Sequence, residues 1–224
     1  EAYAKIKKNR EALQILADCN LKLGDAGRAM DYAQKALDLD GKDLESLRLA
    51  AMAFCARAES KKTDPGATSG SINGLYEDGI TFMDRYLKLR PDDADVLSLK
   101  GQTLYNLSRL EDSAKSLAKS VEADPDNVDN YYYLARSLRA AGEAEAAAET
   151  FDRAISRFPH LAWLYLEKGH AVGSTQTEEA MLAAAEVYGF NVEATEYPYG
   201  TQHYLETGEK FPDRALDEMR QHDA

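Results

Sequence analysis

What this chain has little of narrows its chemistry first. Cysteine occurs twice, at Cys19 and Cys55, and tryptophan once. Both cysteines are expected on helices among small packed residues, so they read as inert core thiols rather than a disulfide, and they leave the compartment open. No apolar run approaches the roughly 20 residues that a helix needs to cross a bilayer. No signal peptide is visible, although a leader removed ahead of Glu1 would leave none. Cations are the scarcer charge: 27 Lys and Arg against 39 Asp and Glu give a net charge of −12. That balance argues against binding the phosphate backbone of a nucleic acid, which needs clustered cations. It also argues against a peripheral role on an anionic membrane.

Signatures of chemistry are missing as well. His160, His170, His203 and His222 have no metal-ligand spacing with one another or with the cysteines. There is no HExxH and no GxSxG, and the glycine-containing PGATSGSING lacks the Lys that follows the last glycine of a phosphate-binding loop. The acidic residues are scattered, as on a solvated face. The expectation is no catalytic residue, no metal and no cofactor.

What is present is helical periodicity built on small residues. Residues 128–161 read as two amphipathic helices joined by a tight turn. Tyr131, Leu134, Ala135 and Leu138 form one apolar stripe, and Ala147, Phe151 and Ala154 a second. Gly142 sits between them, where a residue tolerant of positive φ ends a helix. Pro159 blocks continuation of the second helix. Ala135 and Ala147 allow two backbones to approach, with Tyr131 and Phe151 filling the gap between them.

This order of residue types resembles the tetratricopeptide repeat. Pro91, Pro125 and Pro159 recur at 34-residue intervals, which is that family's period. The resemblance implies an all-α fold: a right-handed superhelical solenoid of antiparallel helix pairs, with five to six repeats. The units expected are 10–43, 44–93, 94–127, 128–161 and 162–191, with residues 1–9 the end of a truncated preceding repeat. In the second unit about sixteen residues are inserted near 59–70, both helices are lengthened, and Ser71 is a candidate N-cap. The polar stretch 61–70 is expected to be the most mobile internal segment. Residues 192–224 fit either a degenerate sixth repeat or a C-terminal cap.

In such a superhelix the first helix of each pair lines the concave groove. The positions expected to face it include Arg48, Gln102, Tyr105, Tyr132, Arg136, Arg139, Trp163 and His170. Tyr132, Arg136 and Arg139 are four and three apart, and Trp163 and His170 seven apart, so each set shares a helix face. The expectation is that Tyr132, Arg136, Arg139, Trp163 and His170 form a pocket for an acidic or C-terminal carboxylate group, through charge-assisted contacts to Arg. The competing reading is that Tyr132 and Trp163 cover neighbouring helices while both Arg are solvated. The chaperone-tail clamp of some family members does not carry over: its Lys, Asn and Arg places fall on Gln14, Asp18, Leu49, Asp95 and Leu99.

The function implied by the resemblance is a non-catalytic scaffold that binds a peptide or protein segment in the groove and supports assembly of a complex. The alternative is a regulatory or targeting module of a longer enzyme whose catalytic part lies outside these residues. Self-association through a terminal helix pair is the third possibility. The partner expected is a protein or peptide, with no nucleic acid and no membrane span.

Overall fold

Short acidic and glycine-bearing turns cut the chain into helices of 11 to 21 residues. The structure, a computed structural model, describes residues 2–172, 182–187 and 189. The helices are α1 (Ala2–Lys22), α2 (Ala26–Leu39), α3 (Leu44–Lys61), α4 (Ser69–Leu87), α5 (Ala94–Asn106), α6 (Leu110–Ala123), α7 (Val128–Ala140), α8 (Ala144–Arg157) and α9 (Ala162–Val172). Residues 182–187 are again helical, and Gly189 follows at positive φ. No strand occurs among the described residues. The expected sixth repeat or cap over 192–224 lies outside them.

The helix starts follow from side-chain caps. Asp25, Asp43, Thr68, Asp93 and Asn127 each accept a hydrogen bond from a backbone N–H of the first turn, satisfying donors that the helix itself cannot. In three of the pairs the turn uses a left-handed residue. Gly24 (φ 78°) and Gly142 (φ 86°) supply it at no steric cost. Ser108 takes the same place in the third unit at φ 58°.

Consecutive helices pack antiparallel, each first helix (α1, α3, α5, α7, α9) against the second helix on either side where one is described. Successive first helices also touch, α1 to α3, α3 to α5 and α5 to α7, while successive second helices have no comparable contact. The chain is therefore an all-α right-handed solenoid with first helices on its inner, concave face. Small residues set the close approaches. Ser113 Oγ donates to the Gly101 carbonyl at 2.7 Å and shares a 2.8 Å bond with Ser137 Oγ, and Ser120 Oγ donates to the Ala94 carbonyl at 2.8 Å. These serines are buried, yet satisfied.

The core falls into two clusters rather than one seam. The first packs Leu47, Leu49, Tyr76, Phe82 and Met83 with Ala17 and Val96. The second packs Leu117, Val121, Tyr131, Leu134, Phe151 and Leu164. They part between Val96 of α5 and Leu117 of α6, while α4 and α5 meet less closely than any other consecutive pair of these helices. Rings fill the joints elsewhere: Phe54 and Phe82 lie 5.3 Å apart, and Tyr131 meets Phe158 edge-on at 6.3 Å.

Several expectations are corrected. Residues 2–9 are the opening turns of an unbroken α1, not a second helix of an earlier unit. The expected lengthening of both helices in the second unit is seen, with α3 running to Lys61 and α4 starting at Ser69, which leaves 62–68 as the connection. Thr68, not Ser71, caps α4, and the Ser71 N–H is the donor. Cys19 is exposed rather than a core thiol, because among the described helices only α2 and α3 pack against α1. For the same reason Leu16 is 42% exposed.

Candidate protein-binding groove

Helical spacing and the stagger between units together build a row of side chains along the inner face. Trp163 of α9 meets Tyr132 of α7 edge-on, ring centroids 5.9 Å apart. The rings of Tyr132 and Tyr133 also meet, with centroids 5.4 Å apart. One turn after Tyr132, the Arg136 guanidinium lies 4.9 Å from the centre of the Tyr105 ring on α5. A cation over an aromatic face is held electrostatically without losing its charge. The Tyr105 phenol raises the pKa of Arg136 above its usual high value, Tyr132 adds to this, and partial burial opposes it. Arg136 is thus a fixed cation. It is exposed and has no carboxylate partner among the described residues.

Two of the five expected pocket residues stay out of this row. Arg139 is exposed in the last turn of α7, and its side chain makes no hydrogen bond or ion pair among the described residues. His170 is exposed near the end of α9. Seven residues separate it from Trp163, roughly 10.5 Å of helix rise, so a shared face does not bring the two together. Of the five residues expected together, the row holds Trp163, Tyr132 and Arg136, joined by Tyr105 of the preceding unit.

Arg48 and Gln102 satisfy themselves locally. Arg48 pairs with Glu45 at 2.7 Å and points Nη1 at Met52 Sδ, 3.4 Å away, while Gln102 donates to Ser98 Oγ at 3.1 Å. Gln102 also lines a second hollow of the inner face, about 560 Å³, between α1, α3 and α5. Leu21, Met52 and Leu99 supply its apolar wall, and Asp18, Glu59 and Asn106 its polar edge.

Glu59 organises that edge, and spacing alone did not single it out. It accepts from the Tyr76 hydroxyl, from Asn106 Nδ2 at 3.0 Å and from Lys62, whose Nζ is 2.9 Å away. Burial works to raise its pKa, but Tyr76 and Lys62 prevail and hold the carboxyl below its ordinary value. Among the described residues no group of three or more His, Cys, Asp or Glu is placed to hold a metal. No described helix is long and apolar enough to cross a membrane.

Comparison with known proteins agrees with this architecture. Models of the tetratricopeptide repeat match residues 11–43, 73–128 and 99–162. Human tetratricopeptide repeat protein 33 is 27% identical over 105 residues, which is 47% of this chain and 40% of that protein. The match thus spans well under half of that relative's length. Among solved structures, MamA 41-end from Desulfovibrio magneticus RS-1 superposes with a TM-score of 0.65 at 19% identity, covering 81% of this chain and 94% of that one. YrrB, a TPR protein with an unusual peptide-binding site, gives 0.61 at 16% identity, covering 93% and 98%. With the period, the turns and the helix pairing in place, the chain belongs to the tetratricopeptide repeat family, whose members generally serve as protein-interaction scaffolds without catalysis of their own.

Proposed function

We propose that this chain is a non-catalytic scaffold that binds a peptide or protein segment in its concave groove and so supports assembly of a complex. In this reading the row Trp163, Tyr132, Arg136 and Tyr105 receives an acidic side chain or a C-terminal carboxylate of the partner. The observation that carries it is Arg136. In a chain of net charge −12 it lies exposed without a carboxylate partner among the described residues, yet a ring from the neighbouring unit fixes its position. A pre-positioned guanidinium loses little freedom on binding and can bond a carboxylate through two parallel N–H donors. Trp163 and Tyr132 beside it offer rigid apolar area of the kind that dominates interface energetics. The chain's acidity opposes a highly charged ligand, so the affinity expected is on the order of micromolar.

The test is binding of a peptide library with free or amidated C-termini, acidic or neutral. Arg136→Ala and Trp163→Ala should each weaken the acidic and free-carboxylate peptides, while Arg139→Ala leaves them unchanged. Equal binding of acidic and neutral peptides, or no loss in Arg136→Ala, would overturn the assignment.

A further inference from the structure

The opposite side of α5 carries a groove that the concave reading leaves unused. It runs along the outer face between α4 and α6, about 540 Å³ in volume, with α5 as its floor. Its position follows from the packing. α6 is pressed on α5 through Gly101 and buried serines, whereas α4 and α5 meet loosely. The gap opens on the loose side.

The groove's charge is opposite to the chain's. Lys88, Lys100, Arg109, Lys115 and Lys119 line it, against only two carboxylates, Asp84 and Asp112. Both carboxylates are already engaged: Asp84 by Lys100 at 2.6 Å, Asp112 by Arg109 at 2.9 Å and, more distantly, Lys115 at 4.0 Å. Arg109 also holds the Asp112 carboxyl below its ordinary pKa. Lys88 and Lys119 are exposed, on opposite walls, with no acidic partner among the described residues. Between them the floor is apolar, with Leu87, Pro91, Leu97 and Leu104.

We propose that this outer groove is a second docking site, separate from the concave one, for an acidic protein segment that carries apolar side chains. Charge complementarity selects the sign of the occupant, and the floor selects its kind. A nucleic acid has the charge but offers no aliphatic side chain for the Leu87 and Pro91 surface, and its long backbone would run on over acidic surface. A short segment that sets Asp or Glu against Lys88 and Lys119 and a leucine against the floor satisfies both. Rim charges of this kind act mainly on association rate and selectivity, and are screened by salt. Tyr105 and Gln102 face the inner side of the same helix whose Lys100 and Leu104 line the outer groove, so α5 would carry one partner on each face.

The experiment uses a short fluorescein-labelled peptide with two acidic residues to each leucine. Its C-terminus is amidated so that it offers no terminal carboxylate. Its counterpart has lysine at the acidic places. Fluorescence anisotropy with the whole chain should show binding of the acidic peptide only. That binding should weaken about tenfold in the Lys88→Glu, Lys119→Glu variant and fall with added salt. It should persist in Arg136→Ala, which removes only the contribution of the concave row. Both lysines are exposed, and an unchanged circular dichroism melt would confirm that the variant folds. No binding, equal binding of the lysine peptide, or undiminished binding to the folded variant would overturn the site. Complete loss in Arg136→Ala would overturn it too, by moving the peptide wholly to the concave face. Concentration-dependent sedimentation of wild type that the lysine variant abolishes would replace the acidic partner with a second copy of this chain.

Discussion

Leu117 of α6 closes over Gly101 of α5 so tightly that a Cβ on the glycine would stand 2.4 Å from the leucine Cγ. Gly101→Ala should therefore destabilise the chain. Overpacking typically costs about 1–3 kcal/mol, while alanine's better helix propensity returns only about 1 kcal/mol. Urea unfolding of the single variants and of Gly101→Ala with Leu117→Ala checks this. In the Leu117→Ala background the glycine substitution should turn neutral or favourable. As a contrast, Gly74 in α4 has open space where a Cβ would go, so Gly74→Ala should raise stability by about 0.5–1 kcal/mol.

Ser108 stands at φ 58° in the turn where the next unit has Gly142 at φ 86°. A side chain in that region is strained, by roughly 1–2 kcal/mol for an ordinary L-residue. Ser108→Gly is expected to raise the denaturation midpoint, and Gly142→Ala to lower it. Opposite signs at equivalent places are the readout; a loss in both would tie Ser108 to some other contact.

Two phenols make stability fall in alkali. Burial, then a hydrogen bond to Glu59, pushes Tyr76 up to about 12; burial, then a 2.7 Å bond to Asp93, does the same for Tyr86. In the unfolded chain both ionise near 10. Their folded pKa values are raised, so the contribution is fully present below about pH 10 and is lost as pH climbs through about 12. Lys62, also raised, acts in the same direction. Denaturation midpoints measured from pH 9 to 12 should drop for wild type and drop less for Tyr76→Phe with Tyr86→Phe.

The fold was legible because its cues are local. Gly142, Pro159 and the alanine stripes state where a helix stops and which face is buried, and the 34-residue recurrence repeats the statement. The groove was legible only in part. Spacing puts Tyr132 and Arg136 on one face, and they stay together. It also puts Arg139 with Arg136 and His170 with Trp163, but a shared face is not a shared place, and both extra residues end in solvent at helix ends. The contact between Arg136 and Tyr105 depends on the stagger between units, which no within-helix pattern encodes. Glu59 was missed because its partners Tyr76 and Asn106 come from two other helices, and Tyr76 reads in sequence as one more apolar stripe position.

The two cysteines should separate cleanly in a labelling experiment. Cys19 is exposed, whereas Cys55 is 7% exposed, shares a 3.3 Å hydrogen bond with Thr103 Oγ1, and has its thiol pushed up to about 11 by burial. A disulfide reagent reacts with thiolate, which Cys55 hardly forms near neutrality. At pH 8 the native chain should titrate with one fast thiol, and the urea-unfolded chain with two. Two fast thiols in the native chain would mean that α3 opens readily at Cys55.

The connection between α3 and α4 divides into a replaceable tip and a structural margin. Asp64–Gly66 are exposed, and the turn closes on itself: Gly66 N–H donates to Asp64 Oδ1 at 3.0 Å, and Ala67 N–H to the Asp64 carbonyl at 3.0 Å. The margins are engaged, with Lys62 on Glu59 and Thr68 capping α4. Replacing residues 63–67 by a two-glycine turn should leave stability within about 0.5 kcal/mol, since closing a shorter flexible loop adds no large entropic cost. Thr68→Ala in the unshortened chain should cost about 1 kcal/mol, the usual loss of an N-cap. Thermal melts of the two variants side by side decide the point. If the shortened loop lowers the melting temperature more than the lost cap does, the tip bears on the solenoid and the division drawn at residues 62 and 68 is wrong.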